Sequence, residues 1–106
     1  MSKAVELSSL LMDVEAQLRQ LGLWQTEAPS AEALASTEPF CIDTLSFPQW
    51  LQFIFLARLY SMISLQQALP TSCSIAPMAD EYFKSSEHNV TALLAILEQI
   101  DQLLSS

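Results

Sequence analysis

The chain has 106 residues, 51% of them apolar, which suits one small domain spanning residues 1–106 with enough apolar material for a core. Twelve acids against four bases give a formal charge of −8. Lys3, Arg19, Arg58 and Lys84 are scattered along the chain, and nucleic acids and anionic membrane surfaces both require clustered cations, so direct binding to either is disfavoured.

Residues 2–21 are predicted to be helical. Val5, Leu7, Leu10, Leu11, Val14, Leu18 and Leu21 recur at three- and four-residue steps, while Glu6, Asp13, Glu15, Gln17 and Arg19 fall largely off that stripe. Gly22, the sole glycine, follows where a left-handed C-terminal cap is expected. A connector carrying Trp24 leads to Pro29. Ser30 then has the character of an N-cap for a short helix through Leu34.

Residues 36–45 contain Pro39 and show no long period, which predicts a loop. Its apolar residues Phe40, Ile42 and Leu45 suggest that the loop lies on the core. Ser46-Phe47-Pro48-Gln49 has the form of a capping box, with Pro48 in the first turn, where its missing N–H costs nothing. The helix it opens is expected to run to about Leu69 and to be central, since Trp50 to Leu65 is apolar on most faces. Leu69-Pro70 is its expected stop, because the residue before proline avoids helical geometry. Pro77 is expected to open a short helix from Met78 to about Lys84. Ser85 or Ser86 is the expected cap of a last helix from about Glu87 to Leu104, striped by Val90, Leu93, Leu94, Ile96, Leu97, Ile100, Leu103 and Leu104. The expected class is all-α: a compact, four-helix-bundle-like arrangement of three long amphipathic helices and one or two short ones.

Little in the chain points to chemistry. His88 stands alone near a helix start, and Cys41 and Cys73 occupy different loops without metal-ligand spacing, so no metal or cofactor is implied and no catalytic set emerges. One glycine is too few for a phosphate-cradling loop. No signal-peptide pattern opens the sequence, and the apolar run from Trp50 to Ile63 is short of the roughly 20 residues a membrane span needs. A cytoplasmic setting with reduced thiols is the expectation, with a Cys41–Cys73 bridge as the alternative. Asp80-Glu81 reads as an acidic pair near a helix start. Arg58 is the most unusual charge, because it falls in the most apolar helix. A semi-buried ion pair with Asp43, Asp80 or Glu81 would explain it, and an anion or carboxylate anchor in a groove is the alternative.

Pro39-Phe40, Asp43-Thr44-Leu45, Phe47, Gln49-Trp50-Leu51-Gln52-Phe53, Phe55 and Arg58, with Trp24-Gln25 upstream and Leu69-Pro70 and Ile75-Ala76-Pro77-Met78-Ala79 downstream, resemble the YqcC-like family of small bacterial proteins. The resemblance covers essentially the whole chain. It implies a small all-α domain without an established activity, often encoded beside tRNA pseudouridine synthase C and sometimes carrying that enzyme's label. The enzyme itself is a larger mixed α/β protein with a catalytic Asp after an Arg-Leu pair, whereas Tyr60 follows Arg58-Leu59 here.

These readings leave a non-catalytic protein-interaction module as the favoured expectation. Its candidate surface is Trp24, Phe40, Asp43, Thr44, Phe47, Gln49, Trp50 and Arg58. Its candidate partners are a basic protein, a tRNA-modifying enzyme or a second copy of the chain. An accessory role to tRNA pseudouridine synthase C and a small-molecule site built on Arg58 and Asp43 are the alternatives.

Overall fold

Helices from opposite ends of the chain form the spine of the molecule. In the computed structural model, which describes residues 3–38, 43–71, 74–84 and 87–105, α1 spans Lys3–Gln20 and α6 spans Thr91–Ser105. α1 buries Leu7, Leu11, Val14 and Leu18, and α6 buries Leu93, Leu97, Ile100 and Leu104. Both sets follow the same steps of four, three and four, the rhythm that keeps one helix face turned toward one neighbour. The two helices pack against each other. Each of these aliphatic side chains contributes roughly 1.5–3 kcal/mol by leaving water. Val5 and Met12 point outward at 55% and 62% exposure, so Val5 stands off the stripe on which the sequence pattern put it.

The end of α1 is set by backbone chemistry. Gly22 adopts φ 74°, its N–H donates to the Arg19 carbonyl at 3.1 Å, and the Leu23 N–H reaches the Leu18 carbonyl at 2.8 Å. This paired closure is the Schellman arrangement expected around a glycine. The connector then leads to α2, Ala31–Leu34, where the Ser30 hydroxyl accepts from the Ala33 N–H at 3.1 Å.

The central rod comprises α3 (Phe47–Trp50), a π-helical segment (Leu51–Leu56) and α4 (Ala57–Ser64). The capping box forms: Gln49 N–H donates to Ser46 Oγ at 3.3 Å, and Ser46 N–H donates to Gln49 Oε1 at 2.8 Å. Leu51, Phe55, Leu56 and Leu59 enter the common core.

Two expectations for this rod need correction. Its middle is π-helical rather than α-helical. Periodicity could not reveal this, because Leu51-Gln52-Phe53-Ile54-Phe55-Leu56 is apolar at every position but one. The rod also ends at Ser64, five residues before Leu69. Gln66 takes φ 56°, the Gln66 N–H meets the Ile63 carbonyl at 3.2 Å, and the Gln67 N–H meets the Met62 carbonyl at 2.9 Å. The same closure that Gly22 makes is made here by a glutamine, and so carries no glycine signal.

α5, Ile75–Phe83, starts before Pro77 rather than after it. Asp101 of α6 supplies its N-terminal cap: Oδ1 accepts from the Ile75 N–H and Oδ2 from the Ala76 N–H, both at 2.9 Å. Pro77, next in line, has no N–H to satisfy. The first-turn donors are thus met by a neighbouring helix rather than by Ser74, whose side chain makes no capping bond. α6 begins at Thr91, later than expected, with the Asn89 side chain accepting from the Thr91 N–H at 3.3 Å. The expected caps Ser85 and Ser86 lie outside the described residues, as do Cys41, Ile42 and Cys73. Among the described residues there is no strand, and no helix is long and apolar enough to cross a membrane. Among the described residues, an all-α bundle of three long and two short helical pieces is the observed architecture.

Candidate interaction surface

The connector is tied to the central rod by glutamines. Gln52 is 8% exposed, the one polar residue among the described core positions. Its Nε2 donates to the Gln25 carbonyl at 2.8 Å, and its Oε1 accepts from the Gln25 N–H at 2.9 Å. Gln49 Nε2 adds a 3.3 Å bond to Gln25 Oε1. A buried amide is tolerated only when both its ends are paired, and here they are. Trp24, just before this clasp, packs half-buried on the core, with the Arg19 guanidinium 4.7 Å from its ring centroid. Arg19 also pairs with Glu15 at 3.0 Å.

The segment entering the rod is fixed similarly. Asp43 Oδ1 accepts from the Ser36 hydroxyl, and the Thr44 hydroxyl donates to the Ala33 carbonyl at 2.7 Å. Both bonds hold the end of α2 against the approach to α3. Leu45, which follows Asp43 and Thr44, is buried. Phe40 lies outside the described residues. Phe47 is buried at the centre of an aromatic cluster: Trp50 lies 6.0 Å away nearly parallel, Tyr82 5.7 Å away, and Phe83 6.1 Å away edge-on. Trp50 also meets Phe55 at 5.5 Å across the π segment. The cluster joins the head of the rod to the tail of α5, and Tyr82 remains 45% exposed at its rim.

Arg58 is not paired with Asp43. It is exposed, its guanidinium is in no ion pair among the described residues, and Asp43 is engaged with Ser36 instead. The expected semi-buried pair with Asp43, Asp80 or Glu81 is therefore absent there; Glu81 pairs with Lys84 at 3.7 Å. The reason is the end of the rod's buried face: Ala57 and Arg58 both point to solvent, while Leu56 and Leu59 point inward. Arg58 instead edges a shallow groove of about 470 Å³ between α2 and the rod, with Leu34, Phe53, Ile54, Ala57 and Met62. A second concavity of about 490 Å³ lies between α5 and α6 and is edged by Asp80, Glu98 and Asp101.

The Tyr60 phenol is held above its ordinary range, first by burial and second by the Glu15 carboxylate. Among the described residues no three His, Cys, Asp or Glu side chains converge into a metal-binding group, and His88 is exposed. Most of the expected surface residues thus have duties within the fold. Sequence reasoning used Gln25 and Gln52 as marks of a family resemblance and gave neither them nor Asp101 a structural role. Gln52 did carry a signal: a lone polar residue in an apolar run needs a buried partner. Asp101 carried none, since its acceptors' partners are backbone groups 25 and 26 residues away.

Fold and surface together define a small helical-bundle protein. The model of the DUF446 family, described as tRNA pseudouridine synthase C, matches residues 6–103, and the chain belongs to this family. An uncharacterised protein of Haemophilus influenzae is 36% identical over 96 residues, covering 91% of this chain and 90% of that one. The uncharacterised protein YqcC of Escherichia coli is 30% identical over 95 residues, covering 90% and 87%. A protein of Pectobacterium carotovorum named tRNA pseudouridine synthase C is 40% identical over 72 residues; these cover 68% of this chain but 19% of that longer protein. The solution NMR structure of E. coli YqcC superposes with a TM-score of 0.87 at 27% identity, covering 100% of this chain and 91% of that one.

Proposed function

We propose that this protein is a non-catalytic interaction module that serves a tRNA pseudouridine synthase. The observation that carries this reading is the Pectobacterium relative. There, a stretch resembling this chain occupies 19% of a protein named for the enzyme, which leaves the greater part of that protein for the catalytic fold. A module joined to an enzyme in one bacterium and separate in another is expected to meet that enzyme as a free partner.

The chemistry of the surface favours the same reading. An enzyme that grips tRNA needs a basic face, and a formal charge of −8 complements such a face without competing for the RNA. Asp80, Glu98 and Asp101 concentrate part of that charge along the α5–α6 concavity. In this reading catalysis is left to the partner. Deleting this protein's gene and mapping pseudouridine in the tRNA tests the reading. Reduced modification at the synthase's own sites, restored by the intact gene, is the expected result. Unchanged modification under all growth conditions, with no complex between the two proteins, would overturn it.

A further inference from the structure

The groove beside Arg58 differs electrostatically from the rest of this acidic molecule. Arg19 is committed to Glu15 and to the Trp24 ring, and Lys84 to Glu81. Arg58 is exposed and in no ion pair among the described residues. It stands beside the apolar groups Leu34 of α2, Phe53 and Ile54 of the π segment, and Ala57 and Met62 of α4, with Ser61 and Gln67 completing the rim. An exposed guanidinium at the edge of a largely apolar trough presents a forked donor beside apolar surface, so that one docking segment can meet both a bidentate charge contact and apolar contacts. The lining residues on the rod run from Phe53 to Met62, across the end of the π segment and into α4.

We infer that this groove seats an amphipathic segment of a partner protein that presents a carboxylate to Arg58 between apolar side chains. The inference rests on the interaction-module reading for the existence of a protein partner and adds the place and chemistry of one contact. The two charge patterns have different tasks. The acidic surface draws a basic partner from a distance, and a single inverted charge in the groove fixes the register of docking, because a cation placed there would face Arg58. The shallow, open form of the trough fits a segment of a macromolecule rather than an enclosed small ligand.

The test uses the full chain in its own bacterium, with Ser61, exposed at the groove edge, replaced by p-benzoylphenylalanine, and with a control carrying the same group at Ala95, exposed on α6. After irradiation, the cross-linked partner peptide is mapped by mass spectrometry. The expected peptide contains Asp or Glu flanked by apolar residues at helical spacing. Arg58→Glu should cut the yield by about tenfold, Arg58→Lys less, and reversing the partner's acid to Arg should restore the Arg58→Glu yield. Because Arg58 is exposed and in no ion pair among the described residues, its variants should keep the wild-type melting temperature, which separates lost docking from lost folding. A cross-link to a second copy of this chain, a mapped peptide without a carboxylate, or a yield indifferent to Arg58→Glu would overturn the inference. Cross-linking from Ala95 but not from Ser61 would overturn it while leaving the module reading intact. No protein cross-link from either site would count against both.

Discussion

Gln52 holds the backbone of Gln25 with both ends of its amide, at 2.8 and 2.9 Å, across 27 residues of sequence. The contact reproduces what a neighbouring strand would offer, in a region with no strand among the described residues. It fixes the connector against the π segment and so sets where Trp24 lies. Replacing Gln52 by Leu keeps the volume and leaves a backbone donor and acceptor unpaired. The expected loss is about 1–3 kcal/mol. Gln52→Glu should lose more, because a carboxylate oxygen would face the Gln25 carbonyl. Urea unfolding midpoints of the three proteins check this.

The two left-handed helix ends give opposite expectations. Gly22→Ala meets no neighbouring atom within 4 Å, so its cost is conformational alone, about 1 kcal/mol. Gln66→Gly relieves the same strain at φ 56° and should gain about 0.5–1 kcal/mol. Thermal melts of both variants should move in opposite directions; a destabilised Gln66→Gly would contradict the assigned cap.

Asp101 caps α5 from another helix. Asp101→Ala should therefore cost about 1–2 kcal/mol although Asp101 is half-buried and in no ion pair among the described residues. Asp101→Asn keeps one acceptor and should fall between Ala and wild type. Amide hydrogen exchange at Ile75 and Ala76 should rise in Asp101→Ala more than exchange in α1. Uniform acceleration would argue against a local cap.

Much of the fold was legible because its signals are periodic or local. The stripes of α1 and α6, the Ser30 cap and the Ser46–Gln49 box each depend on residues within a few turns of one another. The errors share a different cause. The early stop at Ser64 depends on a backbone angle at Gln66 that a glutamine does not advertise, and the start of α5 depends on a carboxylate from α6. The contacts made by the candidate surface residues were hidden for the same reason: Asp43, Thr44, Phe47 and Gln49 meet Ser36, Ala33, the aromatic cluster and Gln25. Arg58, read first as an internal tie, is the group left facing outward.

The raised Tyr60 phenol has a consequence at alkaline pH. Below the ordinary tyrosine range both folded and unfolded chains keep the proton, and the stability it accompanies is fully present. As pH rises through about 10, the unfolded chain ionises first, so stability falls until the folded phenol also titrates. Tyr60→Phe should flatten this alkaline decline relative to wild type in urea midpoints taken between about pH 9 and 11. An unchanged slope would place the titrating group elsewhere.

The measurement closest to the central claim is calorimetric titration of this purified protein into purified tRNA pseudouridine synthase C from the same bacterium, at low and high salt. The account expects a stoichiometric complex that weakens as salt screens the acidic surface, and that weakens further in Arg58→Glu. Absence of any heat of binding at low salt, with both proteins folded and the synthase active, would contradict it.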